Sequence, residues 1–350
     1  MMVTHIYNPE HDLALAYGGE GFTPPAAGRG MREGLGFLPA FWANEGDSIL
    51  VDDVTAMERA AAPFGEFLPK VAFVSWSQLP DVVKRHEDLE IIPWGWDMAL
   101  RHQLLRAGVP AGCLPTTGEV ERVRMLSHRR TTIPLLRHLV DTLPDMVGKR
   151  LEASSLDEVR QWLSQERAVV CKAPWSCSGR GVRFVEKELD GNLEGFLRNV
   201  LAHQGCVIVE HGYHRLMDFA MEFMAEDGVV RYEGLSLFDT RNGAYSGNVL
   251  AAEEEKWGLL GKEIPLEVVR PLVHALEALL AETFAGYKGA LGVDMMVVEE
   301  KGHRKIHPCV EVNLRCTMGW VALAVAQRTR GRFDTMRVTC RKGQYHLCLE

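Results

Sequence analysis

The chain has 350 residues, 47% of them hydrophobic and 25% charged. That balance suits a globular protein with two or three lobes rather than one simple core. A formal net charge of −8 argues against nucleic-acid binding, where neutralisation of phosphates by Lys and Arg dominates affinity; a local basic pocket for a nucleotide is still compatible with it. No run approaches the ~18 uninterrupted apolar residues of a membrane-spanning helix. The eight cysteines lack CxxC spacing, so neither a zinc ribbon nor a thioredoxin-like site is expected. Met1–His5 shows neither the basic nor the apolar region of a secretory leader, and the expectation is reduced thiols in the cytoplasm.

In chain order, the first third alternates short apolar runs with helical patterns. Strands are predicted at Val3–Tyr7, Ser48–Val51, Val71–Val74 and Glu90–Ile92, with a helix over Asp97–Ala107. This alternation predicts an α/β domain with a largely parallel sheet. The Gly- and Pro-rich segment Gly18–Gly36 reads as a long surface loop. A boundary is expected near Pro110–Thr117, followed by helices over Gly118–Ser127 and Thr132–Val140. Ser155-Leu156-Asp157-Glu158 reads as a capping box opening a helix to about Gln165. Strands follow at Ala168–Lys172, Val182–Val185, Cys206–Glu210, Met221–Met224 and Val229–Leu237, the last three spaced as antiparallel neighbours. A core helix is predicted at Leu272–Phe284. Leu291–Val298 and Pro308–Asn313 flank the charged turn Glu299–Lys305 and read as a hairpin. An α/β front is thus joined to an α+β back.

Three segments of the back carry chemistry. Lys172 ends an apolar strand and is followed at once by Ala173-Pro174-Trp175-Ser176-Cys177-Ser178-Gly179-Arg180-Gly181. A lysine held there is a fixed cation, and Gly and Ser let backbone N–H groups close on phosphate oxygens. The Walker A spacing is absent, and a hairpin with an incidental lysine is the plain alternative. Second, Asp294 interrupts the apolar run Val293–Val298, and Glu311 and Asn313, two apart on a strand, point to one face. If their strands pair, two carboxylates and an amide oxygen form a hard oxygen set suited to Mg²⁺; the alternative is the polar outer face of an antiparallel sheet. Third, Glu210-His211-Gly212-Tyr213 and Asp218 form a turn that could hold an adenine and a ribose, or could be a solvated hairpin.

In this order, over roughly residues 116–330, the segments resemble the ATP-grasp superfamily. The resemblance implies an ATP-grasp fold with an N-terminal Rossmann-like α/β domain, divided as 1–115, a small lobe 116–205, and a large lobe 206–350 with the metal site. It implies ATP as cofactor, bound by Arg129, Lys172, Ser176, Ser178, Gly179, Gly181, Glu210, His211, Tyr213 and Asp218. It places Mg²⁺, with Mn²⁺ as the substitute ion, on Asp294, Glu311 and Asn313. Lys172, Arg315 (in an E-x-N-x-R pattern) and Arg241 are the catalytic candidates, Arg241 lying with Tyr245 and Asn248 in a polar loop over Phe238–Asn248. Gly292 stands where some amino-acid ligases of the superfamily carry Arg, and Cys177 where Gly or Ser is commoner.

The activity implied is an ATP-dependent carboxylate–amine (or thiol) ligase acting on small-molecule carboxylate and amine substrates through an acyl phosphate. The alternatives are a small-molecule kinase on the same fold and a non-catalytic nucleotide-binding protein. Relatives are often homodimers; neither nucleic acid nor membrane is an expected partner. Tyr7–Asp12, directly after the first strand, is a candidate substrate contact, because ligands of open α/β sheets sit beyond the carboxyl ends of strands.

Overall fold

The structure, a computed structural model, describes residues 2–86, 89–166, 168–176, 181–186, 188–241 and 244–350, apart from the side chains of Arg241 and Ala244. The chain forms two compact units. One comprises Met1–Met125, Ser246–Ala252 and Arg315–Glu350; the other comprises Leu126–Tyr245 and Glu253–Leu314.

The first unit begins with β1 (Met2–Ile6), β2 (Ser48–Val51), β3 (Ala72–Ser75) and β4 (Leu89–Pro93). They lie in the order β3-β2-β1-β4, and every pair is parallel. The apolar sequence runs predict this sheet, because parallel strands are covered on both faces. Its core joins Ile6, Leu50, Ile91, Leu100 and Leu104, all buried.

The second unit holds two antiparallel sheets. The smaller contains β5 (Arg150–Ala153), β6 (Val169–Lys172), β7 (Val182–Val185) and β8 (Val207–His211), in the order β5-β8-β6-β7. The helices Leu156–Gln165 and Gly191–Gln204 supply apolar side chains to its core. The capping box at Ser155 forms only in part. Ser155 Oγ accepts from Glu158 N as expected, but the Glu158 carboxylate reaches one residue further back, to Ser154 N at 2.7 Å.

In the larger sheet β9 (His214–Glu226) and β10 (Val229–Arg241) are each 13 residues long, well beyond the predicted runs. After β11 (Ala244–Val249), β12 (Gly289–Glu300) and β13 (His303–Asn313) complete the set, and the second unit's order is β13-β12-β9-β10. The helix Pro271–Thr283 packs on β10, and Thr132–Thr142 packs on β13. The predicted loop over Phe238–Asn248 is instead largely strand, divided between β10 and β11.

In the first unit β14 (Thr335–Arg341) and β15 (Gln344–Leu349) close the chain as a hairpin, with β14 paired to β11 at Asn248↔Met336. Three hairpins share one turn chemistry. Asp227-Gly228, Lys301-Gly302 and Lys342-Gly343 each have both residues at positive φ, the two-residue arrangement whose twist matches the flanking strands.

Gly18–Gly36 is not the long loop its composition suggests, since Ala26–Leu35 is a helix entered from extended Pro25. Its glycines serve close packing rather than flexibility: a Cβ on Gly34 would lie 2.2 Å from the Tyr345 carbonyl oxygen of β15.

Candidate functional site in the second unit

The buried centre of the site is a cluster of charges on three neighbouring strands. Lys172 ends β6, and its Nζ stands 2.6 Å from Glu210 Oε2 on β8 while donating to the Val310 carbonyl at 3.2 Å. Arg150 on β5 opposes Glu210 in register, and its Nε lies 2.6 Å from Glu210 Oε1 as an ion contact. Arg150 Nη2 donates to the carbonyls of Cys309 and Val310 at 2.9 and 2.8 Å, and Nη1 donates to Thr132 Oγ1. All three charged side chains are less than a tenth exposed.

Ions at such depth persist only when paired and hydrogen-bonded. Burial pushes the Glu210 carboxyl up, but Arg150 and Lys172 outweigh it and hold the group down at about 2. Burial lowers the Lys172 ammonium, with Glu210 opposing. His307 on β13 lies against the cluster. Burial drives its imidazole down to about 3; Glu210 opposes that shift, and Arg150 and Lys172 add to it. Its two ring nitrogens have no protein partner among the described residues, so the ring is neutral and buried.

Beside this cluster a second contact joins the loop after Lys172 to the strand that carries Glu311. Arg129 begins a short 3-10 turn, Arg129–Thr131. Its Nη1 donates to the Ala173 carbonyl at 2.5 Å and to Ser176 Oγ at 2.9 Å, and its Nη2 lies 2.5 Å from Glu311 Oε1. The loop is pinned at both ends, Ala173 N donating to the Gly181 carbonyl at 2.8 Å. A Cβ on Gly181 would stand 2.3 Å from Ser176 Cβ, so the close approach across the loop requires glycine. Ser178 and Gly179 lie outside the described residues.

Asp294 faces Glu311 directly across the β12–β13 ladder, and Asn313 Nδ2 donates to Asp294 Oδ2 at 3.1 Å. The three are half-buried, while Val293, Met295, Val312 and Leu314 between them are buried. The polar groups thus share one face, as the period of two predicts. This oxygen set fits a small divalent cation, whose remaining positions substrate phosphates and waters commonly fill. Among the described residues no group of three or more His, Cys, Asp or Glu is arranged to hold a metal, so a cation here would draw on two carboxylates and the amide.

Asp218 lies one strand over on β9, opposite Met296, and Ala220 is opposite Asp294, which puts Asp218 on the same face. Asp218 Oδ2 accepts from Thr240 Oγ1 at 2.8 Å and pairs with Arg215 at 2.5 Å; burial raises its carboxyl. At the end of β8, His211 Nδ1 is 2.7 Å from Glu166 Oε2, and the His211 and Tyr213 rings meet edge to face at 4.4 Å. Tyr213 also meets His307, at 5.7 Å.

Lys172, Glu210, Arg129, Ser176, Gly181, Asp294, Glu311 and Asn313 therefore occur in three linked clusters, and His211, Tyr213 and Asp218 lie on the strands that carry them. The Glu210 side chain turns inward to Lys172 and Arg150. Arg315 is placed in the first unit, where its Nε and Nη2 clasp Asp12 at 2.7–3.0 Å. The side chain of Arg241 lies outside the described residues.

Sequence reasoning missed Arg150 and His307. Arg150 sits on a four-residue strand with no apolar periodicity to mark it. His307 is flanked by Ile306 and Pro308 in a strand whose charge lies elsewhere.

No protein-family model and no curated protein matches the chain. Among solved structures, biotin carboxylase from Campylobacter jejuni, in a complex with β-γ-ATP, superposes with a TM-score of 0.53 at 13% identity, over 94% of this chain and 70% of that one. The biotin carboxylase domain of the Hydrogenobacter thermophilus 2-oxoglutarate carboxylase, with MgADP, ADP and bicarbonate, gives 0.52 at 12% identity, over 96% and 74%. N5-carboxyaminoimidazole ribonucleotide synthetase from Thermus thermophilus gives 0.49 at 13% identity, over 97% and 83%. The fold is that of the ATP-grasp proteins. Among the described residues no helix is long and apolar enough to cross a membrane.

Proposed function

We propose that this chain is an ATP- and Mg²⁺-dependent ligase that activates a small-molecule carboxylate as an acyl phosphate for attack by an amine or thiol. The observation that carries the reading is the Arg129 bridge. One guanidinium reaches both the loop after Lys172, at Ala173 and Ser176, and the acidic patch, at Glu311. A cationic loop and a hard oxygen set are thereby brought to one place, as binding a metal–polyphosphate requires. The nucleotides named with the two biotin carboxylases support the same reading through the shared fold.

ATP would supply the γ-phosphoryl group that turns one carboxylate oxygen into part of a good leaving group, phosphate, which the amine or thiol then displaces from the acyl carbon. In this reading Asp294, Glu311 and Asn313 hold Mg²⁺. Lys172 and Arg129 place positive charge where the phosphates lie, and Gly181 with Ser176 keeps the loop backbone close enough to donate to them. Lys172 spends two of its three N–H donors on Glu210 and Val310, so the cluster with Arg150 fixes the direction of the third. Positioning and charge stabilisation carry most of the catalysis in phosphoryl transfer, and no covalent protein nucleophile is needed. His211, Tyr213 and Asp218 take the adenosine end, and Arg241 is the candidate for the transferred group. The reading keeps the division 1–115, 116–205 and 206–350.

Titration calorimetry with a non-hydrolysable ATP analogue, with and without Mg²⁺, tests it. Binding that requires Mg²⁺ and is lost in Asp294→Asn is expected. Absence of binding in the wild-type protein under either condition overturns the reading.

A further inference from the structure

We propose that the cleft at the carboxyl end of β1, in the first unit, binds a small zwitterion: an amino acid, or a molecule with a primary ammonium beside a carboxylate. The cleft encloses about 640 Å³ and is lined by Asn8, Glu10, Arg32, Trp76, Asp97 and His102 among others, a size that suits a small molecule.

Its floor contains an ion pair left half unsatisfied on both sides. Glu10 Oε1 is 2.7 Å from Arg32 Nη2, but Glu10 Oε2 and Arg32 Nε are both buried and have no protein partner among the described residues. Glu10 is 6% exposed. Buried polar atoms are normally hydrogen-bonded, and one left bare carries its full desolvation penalty. Two adjacent bare groups of opposite charge define the missing partner. An ammonium would donate to Oε2, and a carboxylate would accept from Nε–H. A simple anion would face Glu10 and Asp97, and a simple cation would leave Arg32 Nε bare.

The surroundings hold this pair in place without satisfying it. Asp97 is already spent on the Leu100 N–H, the Asn8 amide and the His11 ring. Asn8 Nδ2 also donates to the Gly95 carbonyl at 2.8 Å. A Cβ on Gly28 would lie 3.1 Å from Glu10 Cβ, a tight contact, so the missing side chain at residue 28 eases the approach of the helix Ala26–Leu35 to Glu10. Arg32, four residues on, shares that helix face and is thereby laid over the carboxylate. The binding claim stands independently of the ligase reading.

The test is calorimetry of the full chain, without nucleotide, against the proteinogenic amino acids, with acetate and methylammonium as single-charge controls. Saturable binding of at least one amino acid is expected, with neither control binding. Glu10→Gln and Arg32→Lys are each expected to weaken it about tenfold or more, the loss of one charge-assisted hydrogen bond. Thermal unfolding checks that both variants fold. If Glu10→Gln does not, Arg32→Lys decides, because it keeps the ion pair but removes the Nε donor. Failure of every amino acid to bind overturns the proposal, as does equal binding of acetate. Wild-type affinity in the folded variants does so too, since water alone would then complete the pair. Loss of Mg²⁺-dependent nucleotide binding with amino-acid binding intact would sink the ligase reading alone.

Discussion

Arg129 and Glu311 neutralise one another at 2.5 Å, although in the proposed function one meets phosphate and the other a metal ion. On that reading, binding of a metal–nucleotide would exchange these partners. Glu311→Gln is expected to lower turnover about a hundredfold or more, as loss of a charge-stabilising group at a phosphoryl-transfer site does, with the melting temperature little changed. Arg129→Gln should act in opposite directions on two titrations. It should tighten Mg²⁺ measured alone by up to about tenfold, a limit set because Glu311 is partly solvated, and weaken the nucleotide. Weaker Mg²⁺ binding in Arg129→Gln would show that the ion pair does not compete with the metal.

Glu210 is the sole anion among the charged side chains that contact Lys172 and Arg150 in the described cluster. Glu210→Gln strands two buried cations, and a loss of about 3–5 kcal/mol in denaturant unfolding is expected. The double variant Glu210→Gln/Lys172→Met should cost less than the sum of the two single changes, because it removes one of the stranded charges. Simple additivity would mean that the 2.6 Å contact carries no coupling.

The same cluster sets an acid limit on stability. His307 has a folded value near 3 against an ordinary 6.5. The unfolded chain therefore binds the extra proton, and the stability due to the neutral ring is lost as pH falls from about 6.5 towards 3. Glu210 is depressed to about 2 from an ordinary 4.5; its contribution is complete above 4.5 and is lost as pH falls through that lower window. Unfolding midpoints measured against pH should decline in two stages, and His307→Phe should flatten the upper one. An unchanged upper stage in that variant would assign it to another group.

Gly181→Ala would drive a Cβ into Ser176, 2.3 Å away. Moving the loop off Arg129 is the expected relief, with nucleotide affinity falling and overall stability dropping by about 1–3 kcal/mol. Ser176→Gly in the same chain should restore part of both, and calorimetry with thermal unfolding would read the two together.

The periodicities of the sequence determined a good deal. Ser48–Val51 and Val182–Val185 form strands with the predicted bounds, and the hairpin carrying Asp294, Glu311 and Asn313 lies where its charged turn predicts it. These features are local. A period of two, a cap or a two-residue turn acts within a few residues, and the chain itself supplies the partners. The order Lys172, Asp294, Glu311, Asn313 was legible for the same reason, since each polar residue stands out against apolar strand neighbours.

Only the tertiary structure decided what those residues meet. The composition of Gly18–Gly36 argues for a loop, yet Ala26–Leu35 is a helix whose Gly34 lets β15, more than three hundred residues later, lie close against it. Arg150 looks like an ordinary basic residue until β5 pairs with β8 and sets it opposite Glu210. Whether His307 is a solvated base or a neutral core ring depends first on its burial, with Arg150 and Lys172 from other strands adding to the shift and Glu210 opposing it. In each case burial and charge pairing, which depend on distance in space, override the preferences of the local sequence.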